Sequence, residues 1–313
     1  MGIISNITSK YYDNLFKIHL KDKDLKGLNE LLLKSSKNKD IFNDLVFHNI
    51  DNLISQDIDN TVIKKNLVWV NSFNVDDCDY INKFITYYLS EHKIFIKKYD
   101  EYISELDIHK KFEKISFDDF LNYSYFFQFL ISYNYYDSFN FINSAAAFFE
   151  TESNKYFTHI NQTRCYIYIT KNPKEVLRDL TLKYDDQNRS INELMNLDQH
   201  PTILEGKMVI EETKKNWAVN AHSWLNDNTM NAYRGLHIKY ESLREDTADI
   251  LASVIFHLND SGINLRLDYQ KIDDFINKNG APPPYGNEEI SNRVRKNLAR
   301  DLLDTANKYG YSF

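Results

Sequence analysis

The sequence predicts an α/β fold in which a central parallel sheet is flanked by helices. Short segments rich in β-branched and aromatic residues alternate with longer segments that show helical i, i+3, i+4 apolar spacing. This alternation is typical of βαβ units, in which helices bury a parallel sheet. The chain has 313 residues, of which 42% are hydrophobic, so one large domain with a sizeable core can form.

The first 65 residues predict a helical N-terminal extension. They contain no proline, and Leu25–Leu33 and Ile41–Phe47 show helical apolar spacing. We therefore divide the chain into an extension, residues 1–65, and an α/β domain, residues 66–313, and we expect the extension to pack on the domain.

Strands and helices alternate through the rest of the chain. The predicted strands are Leu67–Phe73, Ile94–Lys97, Cys165–Ile169 and Leu236–Tyr240. The predicted helices are Asp79–Ser90, Phe117–Tyr133, Pro173–Lys183, Met208–Asn226, Asp246–Asn259 and Glu288–Tyr309. The aromatic run Tyr123–Phe149 is interpreted as a helical layer over the sheet, with an apolar acceptor pocket as the alternative. Gly280–Gly286, with its proline run, predicts an extended connection.

Composition narrows the function classes. The formal net charge is −7, which argues against a general nucleic-acid or anionic-membrane surface. No run of about 18 apolar residues is present to span a membrane. Cys78 and Cys165 are far apart in the sequence and do not have the spacing of metal ligands, which indicates a reducing compartment. The N-terminus lacks the apolar segment of a secretory signal. We therefore expect a cytoplasmic protein.

The turn after the first strand lies where an α/β enzyme would place a phosphate-binding loop. Such loops use small residues, backbone N–H groups and a lysine. Here the turn has neither Gly nor Lys, and it carries Asp76, Asp77 and Asp79. We favour the interpretation that these carboxylates cap the following helix. The alternative is a divalent metal that bridges to phosphate.

Several segments, taken in order, resemble one enzyme family. Asn216–Trp224 and His237–Asp246 are similar to a "W…SW…RYEDLLEDP" passage, and Tyr166–Leu177 is similar to "YIVRNPRDVAVS". Leu67–Phe84 falls at the position of "YPKSGTTW", and Lys308–Tyr311 is similar to a closing "LGY". These motifs belong to the sulfotransferases that use 3′-phosphoadenosine 5′-phosphosulfate (PAPS). The resemblance, over about residues 65–311, implies a P-loop-like, three-layer fold akin to nucleotide kinases. It also implies transfer of a sulfuryl group from PAPS to a hydroxyl or amine.

The resemblance assigns a donor site whose residues depart from the family pattern. Ser72 and Phe73 open the 5′-phosphosulfate loop, while Asp76 and Asp77 stand at its Ser-Gly positions and Asp79 at a Thr position. Each carboxylate about 4 Å from a phosphate charge costs roughly 1 kcal/mol in water and about 4 kcal/mol near a protein surface. PAPS or its desulfated product PAP is therefore expected as a ligand only if this site still binds anions.

The resemblance assigns two further sites. In the 3′-phosphate clamp Lys171 replaces an Arg and Asp179 replaces a Ser, while Lys278 remains from a late basic element. The general-base segment is Lys97, Lys98 and Tyr99, with Tyr99 at the His position. A tyrosine with a pKa of about 10 is a poor base at neutral pH. Lysines 97, 98, 171 and 278 are the cations that could replace the absent loop lysine.

Three hypotheses follow. The first is a non-catalytic sulfotransferase-like protein that binds another small molecule or a protein partner. The second is a divergent working sulfotransferase. The third is a transferase that uses another donor, with a metal on the acidic turn. Trp217 and Trp224 lie seven residues apart and are interpreted as core rather than as a pocket wall.

Overall fold

Five parallel strands form the central sheet of this chain. The structure is a computed structural model, which describes residues 2–22, 24–35, 65–105, 117–135, 137–148, 158, 160, 162–184, 190, 194, 203–204, 207–208, 215–284 and 300–311. The strands are β1 Leu67–Ser72, β2 Ile94–Lys98, β3 Phe139–Ser144, β4 Thr163–Thr170, β5 Ile203–Leu204, β6 Lys207–Met208 and β7 Gly235–Lys239. The sheet order is β2-β3-β1-β4-β7, and β5 and β6 form a separate antiparallel pair.

Helices cover both faces of the sheet, which confirms the predicted fold class. The helices are α1 Gly2–Lys21, α2 Leu25–Ser35, α3 Asp79–Tyr88, α4 Tyr99–Glu105, α5 Phe117–Asn134, α6 Pro173–Tyr184, α7 Trp217–Leu225, α8 Asp227–Ala232, α9 Tyr240–Glu245, α10 Thr247–Asp260, α11 Tyr269–Asn279 and α12 Arg300–Lys308.

The two faces of the sheet belong to two separate buried clusters. On β1, Trp69 lies in the cluster that also contains side chains of α1, α2, α5, α7 and α12, whereas Val68 and Val70 lie in the cluster of α3, α10 and α11. This alternation is the period of two expected for a strand buried on both faces. Phe16 of α1 packs 6.4 Å from Phe129 of α5, ring centre to ring centre. The described N-terminal helices thus share a core with the sheet, whereas the boundary at residue 65 stays a prediction.

The strand β3 was not predicted. Its residues fall within the aromatic run Tyr123–Phe149, of which residues 123–134 are indeed helical. The strand forms because it lies between β1 and β2 and pairs in parallel with both. Such tertiary pairing can override the helical pattern of the local sequence. The predicted strands and most predicted helices agree with the structure to within a few residues.

Two helix predictions need correction. The predicted helix Met208–Asn226 is wrong at its start, because Met208 lies in β6 and the described helix α7 begins at Trp217. Helix α11 was missed, although Asp268 caps its first turn and Gly280, with φ +72°, ends it. The predicted helical segments 41–47 and 288–299 lie outside the described residues.

A crevice is expected where β1 and β4 lie side by side. The chain leaves β1 toward the β2 edge of the sheet, but it leaves β4 toward the β7 edge. Ligands of open α/β sheets bind outside the carboxyl ends of the strands at such a switch point. The candidate site is therefore expected at the carboxyl ends of β1 and β4.

No helix in the described parts of the chain is long and apolar enough to cross a membrane. Cys78 and Cys165 are buried free thiols.

Candidate functional site

In the turn after β1, one of the three carboxylates, that of Asp77, points into the protein. Val75–Cys78 form a 3-10 helix, in which the backbone N–H of Asp77 donates to the Asn74 carbonyl at 3.0 Å. Asp77 is buried, whereas Asp76 and Asp79 are exposed. The sequence-predicted acidic turn is thus divided between the interior and the solvent.

Asp77 meets the two residues assigned to the 3′-phosphate clamp. The ammonium group of Lys171, just after β4, lies 3.2 Å from Asp77 Oδ1 and also donates to Asp179 Oδ2 on α6. Asp77, Lys171 and Asp179 are called the ion triad below. Ser72 Oγ donates to Asp77 Oδ2 at 3.4 Å, and Lys171 Nζ lies 4.8 Å from the centre of the Tyr240 ring. Residues predicted for two anion sites therefore contact one another.

Burial and neighbouring charges shift the pKa values of the ion triad in opposite directions. Burial raises the pKa of Asp77 to about 6, although Lys171 partly counteracts it. Burial lowers the pKa of Lys171, but the carboxylates of Asp77 and Asp179 outweigh it and raise that pKa overall. The lysine is therefore charged at neutral pH, and the site carries one cation against two carboxylates.

This arrangement is the reverse of an anion site. At the ends of β1 and β4, the lysine that the resemblance assigns to a phosphate is paired with internal carboxylates. A phosphate placed there would have to displace Asp77 or Asp179 from Lys171, or face their charge at a cost of about 1–4 kcal/mol for each.

The residues of the predicted base segment lie apart from the ion triad. The Tyr99 hydroxyl is buried and hydrogen-bonds to the carbonyl and the Oγ of Ser124 at 3.0 and 2.8 Å. Burial raises the pKa of Tyr99 well above its usual range, so its hydroxyl is a donor and not a base. Lys97 pairs with Glu105 at 2.5 Å, and Lys98 lies 3.6 Å from Asp76.

The remaining predicted residues are also separated. Phe73 is part of the buried cluster around Trp69, and Trp217 and Trp224 are buried in the same cluster, as interpreted from their spacing. Lys278 and Asp79 line a surface groove between α3 and α11. Within the described residues, no group of three His, Cys, Asp or Glu side chains is arranged to hold a metal ion.

A polar network beside the ion triad was not predicted. Thr170 Oγ1 lies 2.7 Å from His237 Nε2 and 2.6 Å from the Tyr311 hydroxyl, which donates to Glu241 Oε2 at 3.3 Å. Glu241 also accepts from the backbone N–H of Asn172 at 2.9 Å. Burial and Lys239 lower the pKa of His237 to about 4, so the ring is neutral. Each member lies in a segment quoted for the resemblance, but nothing in those segments indicated that they contact one another.

Comparisons with known proteins give a similarity to solved structures. No protein-family model matches the chain, and no curated protein matches it. Among solved structures, the chain is similar to mouse sulfotransferase SULT7A1 complexed with PAP, at 13% sequence identity and a TM-score of 0.43. The similarity covers 73% of this chain and 67% of the mouse chain.

Proposed function

We propose that this chain is a non-catalytic, sulfotransferase-like protein that binds a molecule other than PAPS. The observation that carries the proposal is the ion triad, in which Asp77 and Asp179 both contact Lys171, the cation that the resemblance assigns to the 3′-phosphate clamp. The cation that would hold a phosphate already has internal partners.

The other assigned positions support the same function. The position of the family base is held by Tyr99, whose hydroxyl is buried and hydrogen-bonded to Ser124. Lys97 is paired with Glu105, so the segment supplies neither a base nor an unpaired cation at that position. The differences from the family pattern thus affect both donor binding and proton transfer.

Titration with PAP tests the proposal. We expect millimolar PAP to leave the melting temperature of the wild-type protein unchanged, beside an intact sulfotransferase that it stabilises. A shift of more than about two degrees, or PAP found at the ends of β1 and β4 in a crystal, would overturn the proposal.

A divergent working sulfotransferase is the second candidate, favoured by the charge that Lys171 retains at the end of β4. Replacing both carboxylates, Asp77→Asn and Asp179→Ser, separates the two functions. If the wild type binds PAP and transfers a sulfuryl group, the enzyme is supported. If only the double variant binds PAP, the internal carboxylates are what blocks the site.

The third candidate, a transferase with another donor and a metal on the acidic turn, has a separate test. It requires a divalent-metal-dependent thermal shift that is lost in Asp76→Asn together with Asp77→Asn. The absence of such a shift with Mg²⁺, Mn²⁺ or Ca²⁺ removes this candidate.

A further inference from the structure

An open surface groove between α3 and α11 is large enough for a small organic molecule. Its volume is about 590 Å³, within the range of sites for small organic ligands. Its floor is apolar: Phe275 is buried, Tyr87 is half-buried with its ring 5.5 Å from that of Phe275, and Ile96 of β2 closes one side.

The rim of this groove is positively charged. It carries Lys83 of α3 and Lys278 of α11 against the single carboxylate of Asp79. Both lysines are exposed, and neither makes an ion pair within the described part of the chain. Two cations and one anion leave a local charge of about +1 at neutral pH, in a chain whose formal net charge is −7. The rim thus favours an anionic ligand.

The wall of the groove also contains an unused hydrogen-bond acceptor. The side-chain oxygen of Asn82 is buried and has no hydrogen-bond partner among the described residues. An unpaired buried acceptor costs about 1–3 kcal/mol, and a ligand N–H or O–H can satisfy it after a small rotation of the amide.

We propose that this groove binds a small aromatic carboxylate that carries one N–H or O–H donor. The aromatic ring lies on Phe275, Tyr87 and Ile96, and the carboxylate faces Lys83 and Lys278. The donor reaches Asn82 Oδ1. The groove shares no residue with the ion triad, although Asp79 and Lys278 stand at positions that the resemblance assigns to the donor site.

Three indole probes of matched shape test each feature by calorimetry. We expect indole-3-acetate to bind with a Kd in the millimolar range or below. Tryptamine, which keeps the ring but reverses the charge, is expected to bind at least tenfold more weakly. 1-Methylindole-3-acetate, which lacks the N–H donor, is expected to bind several-fold more weakly.

Exchange of the rim lysines locates the binding. Lys83→Gln with Lys278→Gln is expected to weaken indole-3-acetate binding at least tenfold without loss of folding, because both side chains are exposed. Asp79→Asn should tighten it. The matched control, Lys17→Gln with Lys26→Gln, removes two exposed lysines of α1 and α2 and should leave the affinity unchanged.

Several results would overturn the proposal. They are no binding of indole-3-acetate at ten millimolar, equal binding of tryptamine, or equal weakening by the control pair. A PAP effect that Lys83→Gln with Lys278→Gln leaves unchanged is distinct from binding in the groove, so the two proposals can fail separately.

Discussion

The ammonium group of Lys171 lies 3.2 Å from the carboxylate of Asp77, which comes from the turn after a neighbouring strand. Both side chains are buried, and Asp179 contacts the same ammonium group. The pairing therefore joins the ends of β1 and β4 to helix α6.

Removing the cation should be strongly destabilising. In Lys171→Met, two carboxylates lose their shared partner, and breaking a buried ion pair from one side costs about 3–5 kcal/mol. Urea unfolding at pH 7.5 measures this loss. Lys17→Met, an exposed lysine of α1, is the control and should change the free energy of unfolding by less than about 0.5 kcal/mol. An effect of similar size in both variants would contradict the buried pairing.

Asp77 should make the stability depend on pH between about 4 and 6. Its folded pKa of about 6 is above the ordinary value of 3.8, so the folded state binds the proton more tightly. The contribution of Asp77 to stability is therefore complete below pH 4 and is lost as the pH rises through 6. The loss is about 3 kcal/mol, at about 1.4 kcal/mol for each pKa unit.

Asp77→Asn provides the comparison for this pH dependence. We subtract the free energy of unfolding of the variant from that of the wild type. This difference should fall by about 3 kcal/mol between pH 4 and 7. Above pH 7 the variant should equal or exceed the wild type in stability. A difference that stays constant with pH would show that Asp77 titrates in its ordinary range.

Tyr99 should contribute to stability and not to proton transfer. Tyr99→Phe keeps the ring against Trp69 but removes the hydroxyl that bonds to Ser124, which should cost about 1–2 kcal/mol. Tyr269→Phe, whose ring is exposed, is the control and should cost less than about 0.5 kcal/mol. An unchanged stability would contradict the hydrogen bond seen here.

Two glycines with positive φ separate backbone strain from crowding. Gly280, with φ +72° and ψ −177°, has no atom of the described residues within 4 Å of an added Cβ, so Gly280→Ala should cost about 1–3 kcal/mol from strain alone. Gly262, with φ +84°, would place its Cβ 2.6 Å from the guanidinium of Arg164. Gly262→Ala should therefore cost more, because Arg164 also donates to the Ser261 carbonyl. Equal losses in thermal unfolding would rule out crowding at Gly262.

Strands with a clear apolar run could be predicted from the sequence, and one strand could not. β1 and β4 are buried on both faces, and each contains a continuous apolar run, Leu67–Val70 and Cys165–Ile169. In β3 the buried polar residues Asn140 and Asn143 interrupt the apolar pattern, and the adjoining aromatic residues continue a helical one. Only pairing with β1 and β2, which is non-local, determines this strand.

The members of the ion triad could be named from the sequence, but their contact could not be predicted. Asp77, Lys171 and Asp179 were assigned to two different sites by resemblance. Their contact depends on the adjacency of β1 and β4 and on the inward turn of Asp77 within the 3-10 helix. Neither feature is visible in residue spacing.

The position of β1 at the centre of the sheet restricts the order in which the chain can fold. Its partners in β3 begin roughly 70 residues downstream, and those in β4 follow later still. Until β4 has been synthesised, one edge of β1 has unpaired backbone groups, and apolar side chains that are buried in the folded protein stay exposed. Shortened chains that end before β4 should therefore aggregate, and folding should be slow because the central contacts are distant in sequence.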